Sequence, residues 1–182
     1  MARSVPVIAS ESPGQFLTGA LWNANVKAMG DFLMGSASNG VPRFRGYQGT
    51  AQSIANNTWT VLTIDTEVFD SDNGHSTTTN SSRYTVQVAG TYLVIGTASF
   101  AANATGNRGV RLTVSGVAVT GSFVKTGAPD TTGSSGLCTV APVVCNVGDY
   151  IEVQGNQNSG AALNTSAAGD VAVSLSAQWI SG

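Results

Sequence analysis

The sequence is poor in charge. Only 10% of its 182 residues are charged and the formal net charge is −2, whereas roughly 25% of the residues of an average soluble domain are charged. So little charge creates no overall field that would attract nucleic acid or an anionic membrane, and we expect neither as a partner. Because charge is costly to bury, a poorly charged surface instead suits contact with other protein chains.

Long apolar runs are also missing. No stretch approaches the ~20 residues that a membrane-spanning helix requires. The first fifteen residues, MARSVPVIASESPGQ, contain no continuous apolar segment of the kind found in secretory signals. We therefore expect a protein that is made and assembled in a cytoplasm and has no membrane partner.

The residues that catalytic sites commonly use are scarce. His75 is the one histidine. It lies in the polar segment SDNGHSTTT (71–79), where we expect an exposed loop residue rather than the oriented base of a Ser-His-Asp triad. We predict that the protein is not an enzyme and has no cofactor.

Metal ligands are scarce as well. One histidine and two cysteines are too few for a closed zinc site. The segment FDSDNG offers oxygen atoms from Asp70, Asp72 and Asn73, as the first half of a calcium loop does, but the downstream glutamate is missing. These three residues are weak metal candidates, and an Asx turn is the favoured interpretation.

The two cysteines are predicted to be free thiols. Cys138 and Cys145 lie in GLCTVAPVVCNVGD, which is typical of one strand. Seven extended residues span about 23 Å, whereas the Cα atoms of a disulfide lie within about 7 Å. The odd separation also places the two side chains on opposite faces.

Residues 1–41 are predicted to form an N-terminal arm. Thr18 is a suitable N-cap and Gly35 follows the last apolar residue, which predicts an amphipathic helix over about 19–34. This helix either folds onto the following domain, or inserts its apolar stripe into another protein, or bundles with two sister helices. The candidate docking residues of the arm are Phe16, Leu17, Leu21, Trp22, Val26, Met29, Phe32 and Leu33.

Residues 42–182 are predicted to form an all-β domain. Short alternating segments separated by Gly, Asn, Asp and Ser predict an antiparallel β-sandwich, and about eight to ten strands suit a jelly roll. VSGVAV around Gly116 is typical of a tight hairpin. The candidate strands are 44–49, 58–64, 66–69, 82–88, 91–101, 108–115, 117–124, 137–145, 149–155 and 170–180. In the last of these, Val171, Val173, Leu175, Ala177 and Trp179 are expected to share a face.

Part of this domain resembles the globular head of complement component C1q, a relative of tumour necrosis factor. The segments that carry the resemblance are VFDSDNGHSTTTNSSRYTVQVAGTYLVIGTASF, NVGDYIEVQ and SLSAQWISG. The matching positions are Phe69, Asp72, Gly74, Tyr84, Gly90, Tyr92, Gly148 and Asp149. The chain departs from the family pattern at Val94 and Gly96, where the family usually has aromatic residues.

This resemblance implies a trimeric jelly roll over roughly residues 44–182. A threefold interface would account for faces that carry Thr, Ser and Ala in place of Lys and Glu. Four aromatic residues on the predicted strands are expected in the core, with a share in the threefold interface as the alternative. These residues are Tyr84, Tyr92, Phe100 and Trp179.

The arm resembles a different group of proteins. SPGQFLTGALWNANVKAMGDFL is similar to the short lead-in of small tail and capsid accessory proteins of tailed bacteriophages, especially phages of actinobacteria. The resemblance implies a virion protein whose arm docks on the major capsid protein or on a tail protein. Because the chain is small and lacks a long shaft, capsid decoration is the favoured hypothesis.

A minor tail or fibre protein that binds a host-surface glycan or receptor is the alternative. The polar segments 125–136 and 155–170 are long, and their Asn, Gln, Ser and Thr side chains could bind sugar hydroxyls. They could equally be loops that only connect strands.

Overall fold

The structure, a computed structural model, describes residues 5–8, 10, 12–16, 18–35, 40–128, 135–167 and 169–182. Leu17, one of the predicted docking residues, lies outside the described residues. The described part of the chain contains no helix that is long and apolar enough to cross a membrane.

The predicted helix is present and has three consecutive parts. A first α-helical turn, α1, covers Gly19–Leu21, a π-helical segment covers Trp22–Lys27, and α2 covers Ala28–Met34. The Thr18 hydroxyl accepts a hydrogen bond from the Leu21 N–H at 3.2 Å, as expected of an N-cap. Gly35 ends the helix in an extended conformation, with φ −66°, and not in the left-handed one that a C′ glycine usually adopts.

Thirteen strands follow within the described residues. They are β1 (Arg43–Tyr47), β2 (Ser53–Ile54), β3 (Thr60–Val61), β4 (Thr66–Asp70), β5 (Arg83–Thr85), β6 (Gly90–Phe100), β7 (Asn107–Val114), β8 (Val117–Ala118), β9 (Val124–Gly127), β10 (Ser135–Cys145), β11 (Tyr150–Gln157), β12 (Leu163–Asn164) and β13 (Ser174–Ser181). The number exceeds the expected eight to ten because several are two-residue strands.

The strands form two main antiparallel sheets and one small ribbon. The five-stranded sheet has the order β10-β6-β13-β1-β4. The second sheet has the order β3-β11-β7-β8, with β5 also paired to β11 and β9 to β7. The ribbon joins β2 to β12. Apart from the β7–β8 hairpin, most neighbouring strands are far apart in sequence. This arrangement is the antiparallel jelly-roll sandwich that the alternating pattern predicted.

Two local predictions had different outcomes. The hairpin between β7 and β8 turns at Ser115 (φ 49°) and Gly116 (φ 80°), as a type I′ turn requires. The last strand begins later than predicted, since Gly169–Val171 forms a 3₁₀ turn and β13 starts at Ser174. Val171 is consequently 40% exposed, whereas Val173 is fully buried.

The core lies between the two sheets and contains the four predicted aromatic residues. Tyr84, Tyr92 and Phe100 are fully buried and Trp179 is 8% exposed. The Tyr92 hydroxyl donates a 2.7 Å hydrogen bond to the Val88 carbonyl, which satisfies its polar end inside the core. Burial raises the pKa of both Tyr84 and Tyr92 above the usual value for tyrosine.

Gly96 shows how the two sheets meet where the C1q family usually carries an aromatic residue. A Cβ atom at this position would lie 2.8 Å from the side chains of Leu112 on β7 and Val153 on β11. The second sheet therefore fills the space that an aromatic side chain on β6 would need.

The C-terminal end of the helix is attached to the sandwich. Phe32 is 3% exposed, and its ring meets the Trp179 ring edge-to-face with 5.1 Å between the centroids. The Trp179 indole also donates a hydrogen bond to the Ala89 carbonyl at 3.1 Å. Phe32 was predicted to dock on another protein, and this expectation is wrong for the chain described here because its own core buries the ring.

Candidate assembly face

The outward face of the five-stranded sheet carries a group of exposed apolar side chains. On β6, Leu93 and Ile95 are 38% and 39% exposed, while Val94 between them and Tyr92 before them are buried in the core. On β10, Val140 and Val144 are 57% and 80% exposed. Alternation along a strand places every second residue on the same face, so all four face outward.

Strand register brings these side chains together. Ile95 pairs directly with Val140, and Leu93 pairs with Pro142, which is also exposed. Residues paired in this way have Cβ atoms about 5 Å apart. We call Leu93, Ile95, Val140, Pro142 and Val144 together the apolar sheet face.

The remaining strands add polar residues and a small hollow to the same side of the sheet. Ser176 and Gln178 of β13 pair with Ile95 and Leu93. They border a cavity of about 290 Å³ whose far side is lined by Arg43 and Phe69. The guanidinium of Arg43 lies 5.7 Å from the centre of the Phe69 ring. Positive charge on this side is therefore displaced towards β1, away from the apolar sheet face.

Sequence analysis did not identify the apolar sheet face. A signal is present in TYLVIG and TVAPVVC, because both segments are apolar at consecutive positions and do not strictly alternate. Strands that are buried on both faces are typically apolar at consecutive positions. In the isolated chain one of those sides is exposed.

The predicted docking residues on the arm differ in how far the structure exposes them. Phe16 is 88% exposed, Trp22 49%, Val26 47% and Leu33 57%, and Leu21 and Met29 are half-buried. Trp22 and Val26 lie in the π-helical segment, in which the N–H of Ala28 donates to the carbonyl of Asn23, five residues earlier.

The polar loop after β4 forms an Asx turn, as the sequence favoured. The Asp70 carboxylate accepts hydrogen bonds from the N–H of Asp72 at 3.0 Å and from the N–H of His75 at 2.8 Å. Asn73 adopts a left-handed conformation with φ 55°, which asparagine tolerates well. The described residues contain no group of three or more His, Cys, Asp or Glu side chains that could hold a metal ion.

His75 is not the exposed loop residue that the sequence predicted. Its side chain is fully buried, and its ring stacks on Phe44 with 4.7 Å between the centroids. Nδ1 lies 3.5 Å from a carboxylate oxygen of Glu67, and Nε2 lies 3.3 Å from the main-chain carbonyl of Ser81. The Asx turn draws His75 inward through its backbone N–H. The ring then serves as packing, since neither nitrogen is directed at a hydroxyl or thiol among the described residues.

The cysteines are free, as predicted. Cys138 is exposed on the outward side of β10, and Cys145 is buried on its inward side. Burial, with a smaller effect from Asp149, raises the pKa of the Cys145 thiol to about 11.

These features define an antiparallel jelly-roll sandwich with an exposed apolar sheet face and an N-terminal helix. No protein-family model and no curated protein matches the sequence. Solved structures do share the fold. The globular domain of the zebrafish complement 1qA protein has a TM-score of 0.55 at 13% identity, covering 76% of this chain and 96% of that one.

Two further solved structures share the fold. Murine APRIL has a TM-score of 0.57 at 13% identity, covering 75% of this chain and 98% of that one. The PRD1 vertex protein P5 has a TM-score of 0.51 at 18% identity, covering 77% of this chain and 97% of that one. At such identities the similarity establishes the fold alone, which is the C1q and tumour necrosis factor type of jelly roll.

Proposed function

We propose that this chain is a non-enzymatic structural protein that assembles as a homotrimer through the apolar sheet face. The observation that carries the proposal is the cluster of outward apolar side chains on β6 and β10. Large contiguous apolar patches that are rimmed by polar residues mark protein–protein contact sites. Two further copies of the chain are the occupants that the C1q-type fold and the low charge of the surface support.

We further propose that the trimer is a surface knob on the virion of a tailed phage, most simply a capsid decoration protein. Residues 1–41 serve as its anchor to the major capsid protein or to a tail protein. Three observations support this proposal: the similarity of SPGQFLTGALWNANVKAMGDFL to phage accessory proteins, the fold shared with the PRD1 vertex protein P5, and the exposure of Trp22 and Val26.

The experiment that tests the anchor removes residues 1–27. This truncation keeps α2 and its Phe32–Trp179 contact. It also removes Val5, which packs against the core, so circular dichroism and sedimentation of the truncated chain are measured first. We expect a folded trimer that no longer incorporates into particles when it replaces the full chain during assembly. A matched control, Val147→Ser, changes an exposed valine outside the arm and should incorporate normally. Incorporation of the truncated chain at the normal level would contradict the anchor.

A minor tail or fibre protein that binds a host-surface glycan is the second candidate function. One observation favours it. Asn156 and Asn158, at the start of the polar segment 155–170, line a cleft that also contains Trp59 and Phe123. The number of copies of this chain per virion distinguishes a capsid location from a tail location, since hundreds of copies indicate the capsid and only a few indicate the tail.

A further inference from the structure

The outward face of the second sheet carries a cleft of about 560 Å³ that the assembly described above does not use. Arg111 lies between the buried residues Val110 and Leu112 on β7, so its side chain is on the outward face. A concave site of this size is typical of small-ligand binding.

Strand register assembles the floor of the cleft from three strands. Gly109 of β7 pairs with Asn156 of β11 on one side and with Lys125 of β9 on the other. Trp59 lies immediately before β3, whose first residue pairs with Gly155. The four residues therefore form a row across the second sheet, with an aromatic ring at one end and an ammonium group at the other.

Two aromatic rings meet above this floor. The Trp59 and Phe123 rings pack edge-to-face with 5.5 Å between their centroids and an interplanar angle of 79°. A Cβ atom at position 109 would lie 3.0 Å from the Phe123 ring and 3.3 Å from the Trp59 ring. Glycine at this position therefore allows both rings to rest on the backbone. Phe123 nevertheless remains 55% exposed, so part of its ring is accessible to a ligand in the cleft.

The charge in the cleft is positive. The guanidinium carbon of Arg111 lies 4.2 Å from the centre of the Trp59 ring, and its Nε donates a 2.8 Å hydrogen bond to the Gln154 side chain. The Lys125 side chain is exposed. None of the described residues that line the cleft is acidic. Basic side chains without an acidic one among the described lining residues favour an anionic ligand, although the protein as a whole has a net charge of −2.

The polar lining consists mainly of side-chain amides. Asn57, Asn107, Asn156 and Asn158 surround the aromatic pair. The Asn158 side-chain oxygen accepts a hydrogen bond from the Asn107 N–H, which orients that amide. An amide offers both a donor and an acceptor, and a sugar hydroxyl requires both.

We propose that this cleft binds an anionic saccharide, one whose sugar rings carry carboxylate groups. The C–H bonds of a sugar ring pack against the electron-rich face of Phe123, the asparagine amides bind the hydroxyl groups, and Lys125 and Arg111 bind the carboxylate. The proposal names the ligand class for the second candidate function. It depends neither on the trimer nor on a virion location, because it uses only residues of the second sheet and its loops.

Isothermal titration calorimetry of the purified full-length protein tests the proposal with three probes. They are a hexasaccharide of alternating glucuronate and N-acetylglucosamine, the neutral N-acetylglucosamine hexamer, and hexaglutamate. We expect the uronate sugar to bind about ten-fold or more tightly than the neutral one, and its affinity to fall as salt is raised. Equal or tighter binding of the neutral sugar, or of hexaglutamate, overturns the assignment, as does no binding of the uronate sugar at millimolar concentration.

Matched variants locate the binding. Phe123→Ala and Lys125→Gln are expected to weaken binding of the uronate hexasaccharide by about five-fold or more each. The controls Phe16→Ala and Lys27→Gln change the same residue types at exposed positions on the arm and should leave affinity unchanged. If the Lys125→Gln and Lys27→Gln variants bind the uronate hexasaccharide with equal affinity, the assignment of the site is overturned. Neither substitution changes a core residue, so loss of folding does not complicate this comparison. Ultracentrifugation of the same samples separates the two proposals, since a monomer that binds the sugar refutes only the trimer.

Discussion

Replacing Val140 with aspartate places a charge in the middle of the apolar sheet face. Val140 is 57% exposed in the isolated chain and pairs across strands with Ile95. The substitution leaves the core between the sheets untouched, because Val140 points away from it. We therefore expect the subunit to fold normally and the trimer to be lost.

The magnitude follows from the exposed fractions. Fully burying a Val, Leu or Ile side chain is worth about 1.5–3 kcal/mol. The side chains of Leu93, Ile95, Val140 and Val144 are 38%, 39%, 57% and 80% exposed. Covering the four therefore contributes roughly 3–6 kcal/mol per subunit before ordering costs. An ionised carboxylate buried without a partner costs several kcal/mol, which offsets most or all of that contribution.

Sedimentation velocity over a range of protein concentrations is the assay. We expect the wild type to sediment as a trimer and Val140→Asp to sediment as a monomer at concentrations at least ~100-fold above the wild-type dissociation midpoint. Val117→Asp is the matched control, because Val117 is 72% exposed on β8 of the second sheet. A Val140→Asp chain that remains trimeric, or a Val117→Asp chain that dissociates equally, would refute the reasoning.

Two predictions concern single side chains near the end of β10. The Asp149 carboxylate accepts hydrogen bonds from the Asn146 N–H and the Ser115 hydroxyl, which lower its pKa below the usual 3.8. Its stabilising effect is therefore present above that pH and is lost as pH falls through the lower folded-state pKa. Asp149→Ala should cost about 1 kcal/mol in urea unfolding at pH 7 and progressively less as the pH is lowered below 3.8. A cost that is independent of pH would contradict this. Iodoacetamide at pH 8 should label exposed Cys138 in the native protein and leave Cys145, with its pKa of about 11, unmodified until denaturant is added. Mass spectrometry measures both sites, and early labelling of Cys145 would show that its burial is incomplete.

Much of the fold was predictable because the sandwich depends on a local pattern. The long strands β6, β7, β10 and β11 have eight or eleven residues, and each was anticipated within two residues of its observed ends. The ribbon of β2 and β12 was missed. It joins residues about 110 positions apart through two pairs only, so neither segment has a periodicity of its own.

The surface features were less predictable because they depend on which strands become neighbours. His75 was expected to be exposed, since its neighbours in sequence are all polar. Burial comes instead from Phe44, thirty-one residues earlier, whose ring provides a flat surface for the imidazole. The apolar pair of Ile95 and Val140 likewise joins residues forty-five positions apart. Such contacts depend on which strands pair and in what register, and a local pattern in one sequence does not reveal pairing between segments so far apart.

The packing of Phe32 determines what the arm can do. If the whole helix projected freely, its apolar stripe would lose conformational freedom on docking, at a cost for each side chain that becomes ordered. Phe32 instead fixes one end of the helix against Trp179, while Trp22 and Val26, on the earlier turns, remain about half exposed. Both of these exposed residues lie within the π-helical segment, Trp22–Lys27, and Phe32 lies in α2. A partner that binds Trp22 and Val26 therefore binds a helix already attached to the jelly roll, and three such helices on one trimer would act together with a high effective concentration.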